Sequence, residues 1–171
     1  MSLKISAFLG VFLFMTALSA APAKSDMITA RKLLLENKAA CVLLNNEGKM
    51  IACESGRGIS PLLNIYDKFK GDLKNCTVVD KVIGRATAAI AVCGKVRHVH
   101  AEIMSQGAVD MLKKHKISVT YTLLVPHILN RKKDGLCPME ETVLKIDDPV
   151  KALAALRIKL TELRKNTPAK Q

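Results

Sequence analysis

Two short apolar runs, Cys41-Val42-Leu43-Leu44 and Met50-Ile51-Ala52-Cys53, flank the segment Asn45-Asn46-Glu47-Gly48-Lys49. This pair constrains the fold more than any other stretch, because strand-length runs joined by a few turn-forming residues close an antiparallel hairpin. A first helix, ending about Asn37, precedes the hairpin. After it, apolar segments of helical and strand period alternate. Ser60-Pro61 opens a short helix to about Phe69. Thr77 to Cys93 reads as a buried helix, since Val78, Val79, Val82, Ile83, Ala86, Ala89, Ile90 and Val92 leave little polar face. Val96 to Met104 and Val119 to Leu124 read as strands around a helix from Gln106 to His115. A short helix covers Met139 to Leu144, and Asp147-Asp148-Pro149 opens a last one with Val150, Leu153, Leu156, Leu160 and Leu163 on one face. Strands joined through helices run parallel while hairpin strands run antiparallel, so the order predicts one α/β domain with a mixed sheet.

With 171 residues and 49% hydrophobic content the chain has the size of one domain and ample core material. Part of that content sits at the N-terminus. Ile5 to Leu18 is almost wholly apolar, follows Lys4 and runs into Ser19-Ala20-Ala21-Pro22-Ala23, the layout of a secretory signal. Its roughly 14 apolar residues are short against the about 20 of a membrane span. The expected organisation is therefore a signal segment over 1–23, a domain over 24–165 and a polar tail over 166–171. The expected location is periplasmic or secreted, or cytoplasmic if the start is mis-assigned. The formal charge of +12 favours anionic ligands. The cations are scattered, and beyond the signal only Tyr66, Phe69 and Tyr121 offer aromatic rings for stacking, which disfavours nucleic acid as a partner.

Five cysteines, Cys41, Cys53, Cys76, Cys93 and Cys137, form no C-x-x-C pair. Cys41 and Cys53 face each other across the hairpin and are the best disulfide candidates; Cys76 and Cys93 read as small core residues. Cys137 stands out because Asn130-Arg131-Lys132-Lys133-Asp134-Gly135-Leu136 delivers it to a helix start with Pro138 at the first position. Glu140, three residues on, would reach back to the Cys137 N–H in a capping box. The helix N-terminus and the neighbouring cations would favour thiolate.

The motifs Val79-Asp80-Lys81-Val82-Ile83-Gly84 and Asn130-Arg131 through Asp134-Gly135-Leu136-Cys137-Pro138-Met139-Glu140 resemble a small prokaryotic family, domain of unknown function 1893, from about Arg31 to Leu156. The resemblance implies a three-layer, cytidine deaminase-like α/β domain, a mixed sheet flanked by helices, without the deaminase zinc site. A zinc deaminase needs a His or Cys ligand and a Glu on one helix and Pro-Cys-x-x-Cys opening the next. This chain has no such pair, and no cofactor is expected.

Asp80 and Lys81 would then sit at a helix start in the deaminase site, holding an anion or simply capping. Ser105 has the same two readings. Asn130 and Arg131 would read phosphate or carboxylate. The first expectation is a binding module for a small anionic or nucleotide-like ligand, lined by Asp80, Lys81, Ser105, Asn130, Arg131, Cys137 and Glu140. The second is a metal-independent enzyme using Cys137 as nucleophile or Asp80 as base. The third is an exported metal-binding protein using His98, His100 and Glu102, which share one strand face.

Overall fold

The computed structural model describes residues 24–165. The expected signal segment and polar tail lie outside them. The elements are α1 (Lys24–Leu35), β1 (Cys41–Leu44), β2 (Met50–Glu54), α2 (Ser60–Lys68), β3 (Thr77–Ile83), α3 (Arg85–Cys93), β4 (His98–Ser105), α4 (Gln106–Lys114), β5 (Ser118–Val125), α5 (Pro138–Val143) and α6 (Pro149–Lys165). Five strands form one sheet in the order β2-β1-β3-β4-β5. β1 is antiparallel to both β2 and β3, and β3, β4 and β5 run parallel, giving the mixed sheet expected from the connections.

The hairpin closes as its composition dictates. The Asn45 side-chain oxygen accepts the N–H groups of Glu47 at 3.0 Å and Lys49 at 2.9 Å, and Gly48 takes the left-handed conformation with φ 82°. The main core packs α2 to α6 on one face of the sheet, where Cys41, Leu43, Val78, Val99 and Ala101 meet Ile65, Ile90, Leu112 and Leu156. A smaller core seats α1 on the other face, through Ala30 and Leu34 against Val42, Leu44 and Val79. Among the described residues no helix is long and apolar enough to cross a membrane.

Two expectations are corrected here. Thr77 to Cys93 is not one helix: β3 ends at Ile83, Gly84 is the N-cap of α3, and the helix starts at Arg85. The run Thr77-Val78-Val79 and Val82-Ile83 is rich in β-branched residues that suit a strand buried on both faces, and such a strand has no alternation to distinguish it from a buried helix. The disulfide does not form either, and all five cysteines are free. The register sets Cys41 opposite Glu54 and Cys53 opposite Val42. Cys41 is buried against the helices while Cys53 is exposed on the opposite face, so the pleat directs the two thiols apart.

Candidate functional site

β2 and β3 are both antiparallel to β1, so β2, β3 and β4 end at the same edge of the sheet, and α2, α3 and α4 all open there. In open α/β sheets this edge is where ligands bind.

Asp80 is the central residue of β3. It stands opposite Cys41, at the point where β1 begins, and β3 runs on beyond it through Lys81, Val82 and Ile83. Its side chain faces the helices, is 6% exposed, and accepts the Val82 N–H at 3.0 Å. The Cys41 thiol also hydrogen-bonds this carboxyl. Burial dominates over those bonds and lifts the Asp80 pKa to about 7. Burial and the facing carboxyl also push Cys41 well above the usual thiol range, so Cys41 is a donor here.

Lys81, the next residue along a strand, points to the other face. Its ammonium meets the Asn37 side-chain oxygen at the end of α1. The expectation that Asp80 and Lys81 open a helix and line one pocket is therefore wrong, for the reason that β3 is a strand with period two.

Ser105 and Glu140 do come together. Ser105 is the N-cap of α4, its hydroxyl accepting the Ala108 N–H at 3.2 Å. The same hydroxyl donates to Glu140 Oε1 at 3.0 Å. Glu140 Oε1 also accepts the Arg85 N–H at 3.0 Å, and Oε2 accepts that of Ala86 at 3.2 Å. The carboxylate, on a residue only 4% exposed, thus caps α3 from α5 and ties it to the start of α4. Arg85 completes the attachment: its guanidinium donates to the carbonyls of Val143 at 3.1 Å and Ile146 at 3.0 Å and to Asp147 at 2.6 Å. Glu140 is consequently an internal strut, with its acceptors in use.

The capping box at Cys137 does not form. Cys137 is the N-cap of α5, but its N–H donates to the Ile128 carbonyl at 2.9 Å, and Glu140 points away to α3. The thiol side of Cys137 is half-buried and packs on the main core. The preceding loop is pinched by a bridge between Leu129 and Leu136, with the Asn130 amide donating to Asp134 at 2.7 Å and Lys133 in the left-handed conformation at φ 60°. Arg131, Lys132 and Lys133 are exposed. The Asn130 side-chain oxygen is buried without a hydrogen-bond partner in the described structure.

His98, His100 and Glu102 share one face of β4, as their spacing predicts, but they look towards β5 and α1. The His98 ring is hydrogen-bonded to Ser118 at 2.7 Å and Thr120 at 3.0 Å, and His100 Nδ1 to Thr120 at 2.8 Å. Burial lowers the pKa of both histidines. Glu102 is taken by the Arg31 guanidinium at 2.7 and 3.0 Å and by Thr122 at 2.7 Å, and the Arg31 bond holds its pKa down at about 2. Among the described residues no group of three or more His, Cys, Asp or Glu could hold a metal ion. The proposed metal set is therefore corrected: hydroxyls and a guanidinium engage these side chains. The zinc position of a deaminase, between the openings of two consecutive helices, fits no better. α2 opens with Ile59, Ser60 and Pro61 and α3 with Gly84, Arg85 and Ala86, none of which is an imidazole or a thiolate.

Arg85, Gly84 and Cys41 are the contributors that the sequence reading missed. Gly84, punctuating a β-branched run, is the signal that would have split Thr77 to Cys93 and exposed Arg85 as a helix start.

A family model described as a domain of unknown function, DUF1893, matches residues 29–160. A solved DUF1893 family protein from Thermotoga maritima is 25% identical with a TM-score of 0.71, the match covering 84% of this chain and 94% of that one. The guanine deaminase of Nitrosomonas europaea is 13% identical with a TM-score of 0.42, over 94% of this chain and 99% of that one. A diaminohydroxyphosphoribosylaminopyrimidine deaminase and 5-amino-6-(5-phosphoribosylamino)uracil reductase from Thermotoga maritima is 15% identical with a TM-score of 0.44, over 70% of this chain and 41% of that one. No individually curated protein matches the chain.

Proposed function

The chain belongs to the DUF1893 family, and from that premise we propose that it is a metal-independent, deaminase-like domain that binds a small nucleobase-like or nucleotide-like ligand around Asp80. The observation that carries this reading is a carboxyl buried in the middle of β3, on the face that meets the helices, with a pKa raised to about 7. Such a group accepts from an exocyclic amino group when ionised and donates to a ring nitrogen or carbonyl when protonated, which are the two patterns on a base edge. The strongly basic chain and exposed Arg131 add attraction for a phosphate. Ser105 and Glu140 tie the starts of α3 and α4 to α5.

Calorimetric titration with a series of nucleobases, nucleosides and nucleoside monophosphates tests this. At least one member is expected to bind saturably to the wild type and at least tenfold more weakly to Asp80→Asn. Equal affinity in the two proteins, or no binding across the series, would sink the reading. A carboxyl titrating near neutrality is also poised for general acid–base work, which favours a second reading in which the bound ligand is turned over. There Asp80→Asn loses turnover. If Cys137 is the nucleophile, Cys137→Ser loses turnover with binding intact, and a Cys137→Ser protein of full activity removes Cys137 from the chemistry.

A further inference from the structure

We propose that the end of the sheet at which α2, α3 and α4 terminate is a docking surface for an anionic phospholipid membrane. Leu44, Thr77, His98 and Ser118 are register partners across the sheet, so the β1–β2 turn and the turns after the three helices share that end. Cations that lie far apart in the chain meet there. Each of the three helices closes in the same way, with the N–H of Gly71 donating to the Tyr66 carbonyl, that of Val96 to Ala91 and that of Ile117 to Leu112. The left-handed position of such a closure usually holds glycine. Here it holds a lysine each time: Lys70 at φ 53°, Lys95 at φ 57° and Lys116 at φ 60°. Lys74, Lys113 and Lys114 flank them. All six residues are exposed, and among the described residues none has an ion-pair partner, whereas Lys32, Lys38 and Lys159 elsewhere each meet a glutamate. The same segments bring Glu47, Asp67 and Asp72, and Asp67 is taken by Arg157. The balance is a strongly positive face.

The path of the chain selects a membrane among polyanions. Asp26, in the first turn of α1, accepts the N–H of Met50 at 3.2 Å, and Met50 opens β2 just after the β1–β2 turn. The chain therefore enters the domain at the cationic end, and the apolar run Ile5 to Leu18 is tethered there. Five residues separate Leu18 from Lys24, a reach of roughly 20 Å when extended. A bilayer that takes up the run consequently lies against this end of the domain. The run is short for a span, and a short apolar segment beside a polybasic surface supplies the two signals that together hold a protein on an anionic bilayer. The reading requires residues 1–23 to stay on the chain as an anchor. Nucleic acid fits this end less well, because Tyr66 and Phe69, the aromatic residues at the close of α2, are packed against the core.

Flotation of the full chain with vesicles tests the proposal, using phosphatidylcholine alone and phosphatidylcholine mixed equally with phosphatidylglycerol. Two variants remove three charges each. Lys70→Asn, Lys95→Asn and Lys116→Asn together strip the cationic end, and asparagine tolerates the left-handed backbone at all three positions. Lys132→Glu with Lys133→Asn does the same in the loop after β5, at the opposite end of the sheet. The wild type is expected to bind the mixed vesicles at least tenfold more tightly than phosphatidylcholine alone. The triple variant should lose at least tenfold on the mixed vesicles and the double variant less than twofold, with thermal unfolding unchanged in both. Equal weakening in the two variants, or binding indifferent to phosphatidylglycerol or to the three lysines, would overturn the proposal. So would duplex DNA that displaces the wild type from the mixed vesicles at equal phosphate concentration, which would give this end to nucleic acid. Should the triple variant fail to fold, hydrogen exchange of the wild type with and without mixed vesicles decides. Protection gained in the turns after α2, α3 and α4 supports docking, and protection gained elsewhere or nowhere overturns it.

Discussion

Glu140→Ala is expected to destabilise the domain by roughly 3 to 5 kcal/mol, the largest effect of any single truncation at this edge. The change leaves the N–H groups of Arg85 and Ala86 and the Ser105 hydroxyl facing a buried void, and each buried donor left unpaired costs about 1 to 3 kcal/mol. Glu140→Gln keeps one carbonyl oxygen and is expected to lose about half as much. Gly84 supplies an internal check. A Cβ there would lie 2.8 Å from the Glu140 carboxyl carbon and overlap one of its oxygens, although the Gly84 backbone is extended at φ −98° and ψ 179° and suits any residue. Gly84→Ala therefore acts only by displacing the carboxylate, at about 2 to 4 kcal/mol, because displacement breaks the same bonds. In the Glu140→Ala background it should cost almost nothing. Chemical denaturation of the two single variants and the double variant measures this coupling, and additive losses would show that Glu140 does not cap α3 in solution.

The second large effect is a dependence on pH carried by Asp80. Its folded pKa is raised to about 7 from the ordinary 3.8, so the folded state binds this proton more tightly than the unfolded state does. The contribution to stability is then complete below about pH 4, declines as pH rises, and is lost above pH 7. A shift of about three pKa units corresponds to roughly 4 kcal/mol over that window. Asp80→Asn carries no such proton. Unfolding free energies measured from pH 4 to pH 8 should therefore show the wild type losing stability relative to Asp80→Asn, by an amount of that order. A difference that is flat with pH would remove the raised pKa, and with it the main support for Asp80 as the ligand-reading group.

Much of the architecture was legible because it rests on local chemistry. The hairpin, the Ser60-Pro61 helix start, the Ser105 cap and the helix opening at Pro149 each need only a few neighbouring residues, and they stand where the spacing places them. The strand face shared by His98, His100 and Glu102 follows from period two alone. What those side chains bond to does not, because Arg31 and Thr122 are 71 and 20 residues from Glu102. The same limit hid the role of Glu140. A local rule sent it back to Cys137, whereas the fold offers it the N-terminus of α3, 55 residues earlier, whose donors have no other acceptor nearby. Reading β3 as a helix then misplaced Lys81 on the same side as Asp80. Burial on both faces erases the alternation that would have told the two apart. Asp80 changes in kind, from a helix-start anion holder to a buried carboxyl in the middle of a strand.

The most direct test of the account is the titration of the Asp80 side-chain carboxyl carbon by nuclear magnetic resonance, in the free protein and with guanosine and cytidine monophosphates added in turn. The account predicts a midpoint near 7 in the free protein and a displaced midpoint with at least one of the two nucleotides. A midpoint below about 5, in the range of an ordinary exposed carboxylate, together with no displacement by either nucleotide, would contradict it.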